Sequence, residues 1–143
     1  MRRTPWRSSN SRFNFSRIET TLDMSISKTA VTCAEVWTDP KARETCAFHW
    51  AQFAERYRGI PNREVSFDLL NEPARIPIAS YVEVVRVLTE AIRAKDPQRL
   101  IIADGLSWGR DPIEELIPLR VAQSTRGYDP MRITHHKASW ISG

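Results

Sequence analysis

Apolar residues after Asp39-Pro40 fall at helical spacing. Cys46, Trp50, Phe53, Ala54 and Tyr57 recur at three- and four-residue steps and so share one face. Asp39 suits the N-cap, where a side-chain oxygen accepts orphaned backbone N–H bonds, and Pro40 suits the first helical position. Gly59 and Pro61 supply the stop. The pattern changes at Val65-Ser66-Phe67-Asp68-Leu69-Leu70, a short run alternating large apolar with smaller or polar residues, which predicts a strand ended by Asn71-Glu72-Pro73. Its parity puts Val65, Phe67 and Leu69 on one side and Ser66, Asp68, Leu70 and Glu72 on the other.

A second helix is predicted from Ser80-Tyr81-Val82-Glu83, which reads as a capping box, through an apolar stripe of Tyr81, Val82, Val85, Leu88 and Ile92. Arg86 and Glu90 are placed to pair on its wet side, and Asp96-Pro97 ends it. Leu100 to Ala103 reads as a fully buried strand closed by Asp104-Gly105. A short helix is expected from Asp111-Pro112, and a further strand over Val121 to Ser124. Helices alternating with strands of four to six residues imply βα units and a parallel sheet. A doubly wound open sheet and part of an eight-stranded barrel both satisfy this order. The lack of a Gly-rich phosphate loop after any strand favours the barrel. On that reading, Val65, Phe67 and Leu69 pack on outer helices, and Glu72 stands at the carboxyl-terminal rim.

The opening segment shows neither period. Residues 1–32 are read as an unpatterned Arg/Ser-rich segment and residues 33–143 as the folded part. Its acid-poor start resembles an organelle transit peptide or a basic arm, and the preferred reading is a truncated or misassigned gene start.

Charge sharpens this division. Of a net +4, five arginines (Arg2, Arg3, Arg7, Arg12, Arg17) lie in residues 1–18 with no acid among them, leaving 16 basic groups against 17 acidic ones elsewhere. A near-neutral body argues against a nucleic-acid face, which needs clustered Lys and Arg. No stretch approaches the roughly 18 apolar residues of a membrane span, and there is no apolar secretory core, so no membrane partner is expected and localisation is left open. Cys33 and Cys46 are too far apart for a CxxC motif, and His49, His135 and His136 have no metal-ligand spacing. No metal or cofactor is expected.

The residues that carry chemistry cluster after the strands. Phe67-Asp68-Leu69-Leu70-Asn71-Glu72-Pro73 resembles the strand-end signature of glycoside hydrolase family 5, the cellulase family. Its context contributes: a helix with Trp50 and Ala54-Glu55-Arg56-Tyr57 precedes it, and one ending Ile92-Arg93 with Asp96-Pro97 follows. The resemblance spans Trp37 to Trp140 and implies the middle βα units of a (β/α)8 barrel, with Val65 to Leu70 as its fourth strand. It implies Glu72 as general acid and base, and Asn71 as the amide that bonds the sugar 2-hydroxyl. Gln123 to Pro130 followed by Thr134-His135 resembles the region after the sixth strand, with Tyr128 as the aromatic near the nucleophile and Arg126 where the family usually has His. His135 is a further candidate contact to substrate, and Trp108 and Trp140 fall in loops where indoles stack on sugars.

A carboxyl at a barrel rim fits glycoside cleavage, which needs an acid to protonate the leaving oxygen. From pattern alone each residue also has a plainer reading. Glu72 reads as a solvated turn acid, Asn71 as a turn cap, Arg126 as a surface charge, His135 and His136 as loop residues, and Trp108 and Trp140 as packing.

The implied activity is hydrolysis of O-glycosyl bonds in β-linked polysaccharides or glycosides by a retaining two-carboxylate mechanism, with a carbohydrate substrate as partner. The alternative is a remnant that only binds carbohydrate. A whole barrel takes about 250 residues. A second carboxylate, needed about 5–5.5 Å from the first, is not found in the matching region. The chain alone is therefore expected to be inactive and to self-associate through uncovered sheet edges.

Overall fold

The structure, a computed structural model, describes the backbone of residues 16–19 and residues 35–139. Most of the Arg-rich opening, Cys33 and Trp140 lie outside the described residues. Four strands, β1 (Ser16–Glu19), β2 (Val65–Asp68), β3 (Ile101–Asp104) and β4 (Ala122–Ser124), form one sheet in the order β1-β2-β3-β4. Every neighbouring pair is parallel, with Asp68 opposite Ile102 and Asp104 opposite Ser124. β1 lies inside the segment read as unpatterned, and these four residues pair into the sheet. Their side chains, Ser-Arg-Ile-Glu, are too few to show a period of their own, and the strand is defined by pairing with β2.

Helix α1 (Pro40–Arg56) begins as expected, with Asp39 accepting the Lys41 N–H at 2.9 Å. It buries Cys46, Trp50 and Ala54 and half-buries Phe53 and Tyr57 against the sheet. The parity of β2 is realised: Phe67, fully buried, meets Trp50 and Tyr57 with ring centroids 5.3 and 6.5 Å apart. Ser66 and Asp68 on the other face are buried as well.

Helix α2 (Ile78–Arg93) starts two residues before the expected Ser80. Pro77, at φ −55°, precedes the first turn, and no side chain caps it. Proline fixes the entry dihedral, so the helix starts there rather than at the Ser80 box. Glu83 instead takes two bonds from Arg86, at 2.8 and 2.9 Å, while Arg86 also grips Glu90 as expected. Tyr81, Val84, Val85, Leu88 and Ile92 form the buried stripe, and the two helices pack side by side on one sheet face.

The helix expected at Asp111 is a 3-10 segment over Glu114–Leu119. Upstream of it, Leu106 and Asp111 exchange backbone bonds of 2.9 and 3.0 Å, and the Gln123 amide bonds both backbone groups of Ile113 at 2.7 and 2.9 Å. These contacts hold Asp111 to Ile113 extended, so helical turns start later. No helix among the described residues is long and apolar enough to cross a membrane.

Candidate active site

The carboxyl-terminal ends of β2, β3 and β4 bring three charged residues together. Glu72 follows β2, Asp104 ends β3, and Arg126 follows β4. In a parallel α/β sheet this end gathers the functional loops, because every strand delivers its last residue to the same side. The approach is close here: the Glu72 N–H donates to Asp104 Oδ2 at 2.9 Å, and Arg126 Nη2 donates to the same oxygen at 2.5 Å. Arg126 Nη2 also donates to Asn71 Oδ1 at 3.0 Å, and its Nε lies 3.7 Å from Glu72 Oε1.

Asp104 is fully buried, which explains the demand for such partners, since a desolvated carboxylate is costly unless paired and hydrogen-bonded. Its carbonyl oxygen accepts from the Tyr81 hydroxyl of α2. Burial, and then the Asp104 charge, push the Tyr81 pKa well above the usual phenol range.

Glu72 has φ +48°, in the left-handed region that a residue with a Cβ enters at a cost of about 1–3 kcal/mol. The dihedral turns its backbone N–H toward Asp104. Its side chain faces an open cleft of about 360 Å³ that it lines together with Trp108, Arg110, Tyr128, Met131 and His135. The Tyr128 hydroxyl donates to Glu72 Oε1.

Trp108 lies in the tight turn Leu106–Gly109, at φ +61°, with its N–H donating to the Pro73 carbonyl at 2.8 Å. This bond ties the turn to the loop that carries Glu72, and the indole is 44% exposed beside the carboxyl. His135 stacks edge-on against Tyr128, centroids 5.0 Å apart, and Thr134 Oγ1 donates to the Tyr128 carbonyl at 2.5 Å. The Asp129-Pro130 bond between them is cis.

The expected site residues are thus brought together, but not in one layer. Glu72, Trp108, Tyr128 and His135 line the cleft. Arg126 is set behind them, engaged by Asp104, Asn71 and Glu72, with its backbone N–H donating to the Gly109 carbonyl at 2.7 Å. His136 is exposed and does not line the cleft. Sequence reasoning passed over Asp104, Arg110 and Met131. Asp104 carried a signal, an acid closing a buried apolar strand at the same rim as Glu72, but it read equally as the first residue of an Asp-Gly turn. Arg110, whose Nε lies 3.4 Å from Asp129 Oδ2, and Met131 carried none. No group of three or more metal-binding side chains occurs among the described residues.

The family model described as Cellulase (glycosyl hydrolase family 5) matches residues 17–138. Endoglucanase 3 of Fibrobacter succinogenes is 26% identical over 113 residues, covering 71% of this chain and 17% of that protein. Among solved structures, a glycoside hydrolase is 40% identical with a TM-score of 0.71, over 76% of this chain and 34% of that one. The endoglucanase Cel5A from the hyperthermophilic Thermotoga maritima is 29% identical with a TM-score of 0.60, over 76% of this chain and 37% of that one. Structures of that enzyme have been described in complex with mannotriose and with cellobiose. The chain spans about a third of the length of these solved relatives, and its sheet and helices correspond to part of their (β/α)8 barrel.

Proposed function

The chain belongs to glycosyl hydrolase family 5, and from that membership we propose that it carries the acid/base half of a retaining active site that cleaves β-linked glycosides. Glu72 is the proton donor to the leaving oxygen in the first step and the base that activates water in the second. The observation that supports this most is the position of Glu72: among the described residues it is the only carboxylate that lines an open cleft at the carboxyl-terminal rim of a parallel sheet.

The surrounding residues fit that task. The Tyr128 hydroxyl holds one carboxyl oxygen of Glu72, fixing the side chain so that proton transfer needs no reorientation. The half-exposed Trp108 indole offers an apolar face to a sugar ring, and the His135 edge borders the same space. Asn71 gives its oxygen to Arg126, so what it offers a ligand is its N–H₂ donors, suited to a sugar hydroxyl oxygen.

Retaining cleavage needs a nucleophilic carboxylate about 5–5.5 Å from the acid. Asp104 does not serve: it is fully buried, with one oxygen committed to Glu72 N–H and Arg126. The 143-residue chain is therefore expected to bind carbohydrate without turning it over. Cleavage is expected once the nucleophile is supplied.

The test is a barrel in which residues 17–138 replace the matching piece of the 40%-identical glycoside hydrolase. Hydrolysis of an aryl β-glucoside by this barrel, and not by the chain alone, is the expected result. The cleft with its single carboxylate also favours a second reading, a module that only binds sugar. Retention of cello-oligosaccharide with no hydrolysis in the completed, folded barrel would establish that reading instead.

A further inference from the structure

The glycosidase reading leaves unused the most heavily bonded acid at the rim. Asp104 is fully buried at the end of β3, and its Oδ2 accepts both the Glu72 N–H and Arg126 Nη2, at 2.9 and 2.5 Å. It therefore touches two things at once: the backbone of the residue read as proton donor and the guanidinium that holds its neighbour Asn71 at 3.0 Å. Glu72 sits at φ +48°, a conformation that is uphill for any residue with a Cβ and persists only where its surroundings compensate for it. The bond from its N–H to a buried carboxylate is such a compensation, because charge-assisted bonds in a low-dielectric site are about twice as strong as neutral ones.

The second limb is equally constrained. Arg126 packs so closely over Gly109, itself at φ +79°, that a Cβ there would collide with its side chain. The β3–β4 pairing sets Asp104 opposite Ser124, two residues before Arg126, so the sheet register itself delivers the guanidinium to the carboxylate.

We propose that Asp104 is the positioning residue of this site. Through one buried carboxylate oxygen it fixes the backbone that aims Glu72 and, by way of Arg126, the side chain of Asn71. It makes no contact with substrate. Arg126, which stands where the family usually has His, then acts as a strut between Asp104 and the Asn71-Glu72 pair. The inference rests on Glu72 as the acid, but its test does not use hydrolysis, so a completed barrel that cleaves nothing counts against the glycosidase reading alone.

The test is amide hydrogen exchange and side-chain NMR on the full 143-residue chain with two substitutions. Asp104→Asn keeps the shape and removes the charge. In it the Glu72 amide should exchange about tenfold faster, the expected loss when a charge-assisted bond becomes a neutral one, while the Leu88 and Ile92 amides of α2 keep their native protection. The Asn71 side-chain N–H₂ resonances should move as well. Arg126→Ala should move the Asn71 resonances and leave the Glu72 amide protected, since Asp104 still accepts from it. Glu72 exchange within twofold of native in a folded Asp104→Asn chain overturns the inference. If Asp104→Asn also loses protection at Leu88, Arg126→Ala decides: moved Asn71 resonances with a protected Glu72 amide support the proposal, and any other outcome overturns it.

Discussion

The Tyr128 hydroxyl donates a hydrogen bond to Glu72 Oε1, linking the rim of β2 to the loop that follows β4 across 56 residues of chain. Phenylalanine at 128 keeps the ring that stacks on His135 and removes only this donor. Losing one bond to a charged group costs about 1.5–3 kcal/mol where the group must be held for reaction, and much less where water replaces the donor. Tyr128→Phe in the completed barrel should therefore lower kcat for aryl β-glucoside hydrolysis about 10- to 100-fold. Its unfolding free energy from urea titration should change by no more than about 1 kcal/mol. Steady-state kinetics and equilibrium unfolding check the two halves separately.

Stability should fall at alkaline pH because of Tyr81. Its folded pKa is raised, first by burial and then by Asp104, above the ordinary phenol value of about 10, so near that pH the unfolded chain loses the phenolic proton while the folded chain retains it. The unfolded state then binds fewer protons, and stability is fully present below about pH 10 and erodes as pH rises beyond it. Tyr81→Phe should lower stability at neutral pH by about 1 kcal/mol, for the lost bond to the Asp104 carbonyl. Above about pH 10 its stability should decline less steeply with pH than that of the native chain. Urea unfolding between pH 8 and 11.5, about the span where phenol titration matters, reads both effects.

Arg99 fastens the opposite end of the sheet. It is buried, and its guanidinium reaches Asp96 Oδ2 at 2.7 and 3.0 Å, the Val65 carbonyl at 2.6 Å and the Tyr57 carbonyl at 2.8 Å, while lying 5.1 Å from the centroid of the Phe67 ring. A lysine ammonium donates from a single point and cannot span these acceptors. Arg99→Lys should cost about 2–4 kcal/mol of unfolding free energy by leaving buried acceptors unpaired. The signature is a lower urea midpoint with an unchanged slope.

These features differ in how far they could be read from the sequence. The Asp39-Pro40 cap, the stripe of α1 and the alternating parity of β2 were legible because each depends on neighbours within a few residues. The Ser80-Glu83 box misled for a reason of the same range: Pro77 offered an earlier entry, and Arg86 offered Glu83 a better partner. The short helix expected at Asp111 gave way to the extended hold of the Gln123 amide, a contact across ten residues that no local pattern announces. In the site, the Asn71-Glu72 signature was visible, whereas the Asp104–Arg126 pair depends on strand register. A glutamate at positive φ could not be inferred, since nothing in the residue type asks for it.

The chain should self-associate. Among the described residues β4 pairs on one side only, and Ile117 and Ile133 are 68% and 74% exposed. An unpaired strand edge beside exposed apolar side chains is a template for further pairing. Sedimentation velocity over roughly micromolar to hundred-micromolar concentration should show mass rising with concentration. A single compact monomer that binds no hydrophobic dye would contradict this.

The central claim is that Glu72 gives the proton to the leaving oxygen, and the most direct measurement is the leaving-group dependence of a Glu72→Gln barrel. Glutamine preserves the shape and removes the proton, so the loss should scale with how much the departing oxygen needs it. Cello-oligosaccharides, with poorly leaving sugar alkoxides, should lose about 10²–10⁴-fold in kcat/KM, the range contributed by a positioned general acid. Dinitrophenyl β-glycosides, whose phenolate departs unaided, should lose far less in the glycosylation step. Equal losses on both substrates, or unchanged hydrolysis of the oligosaccharides, would contradict the role assigned to Glu72.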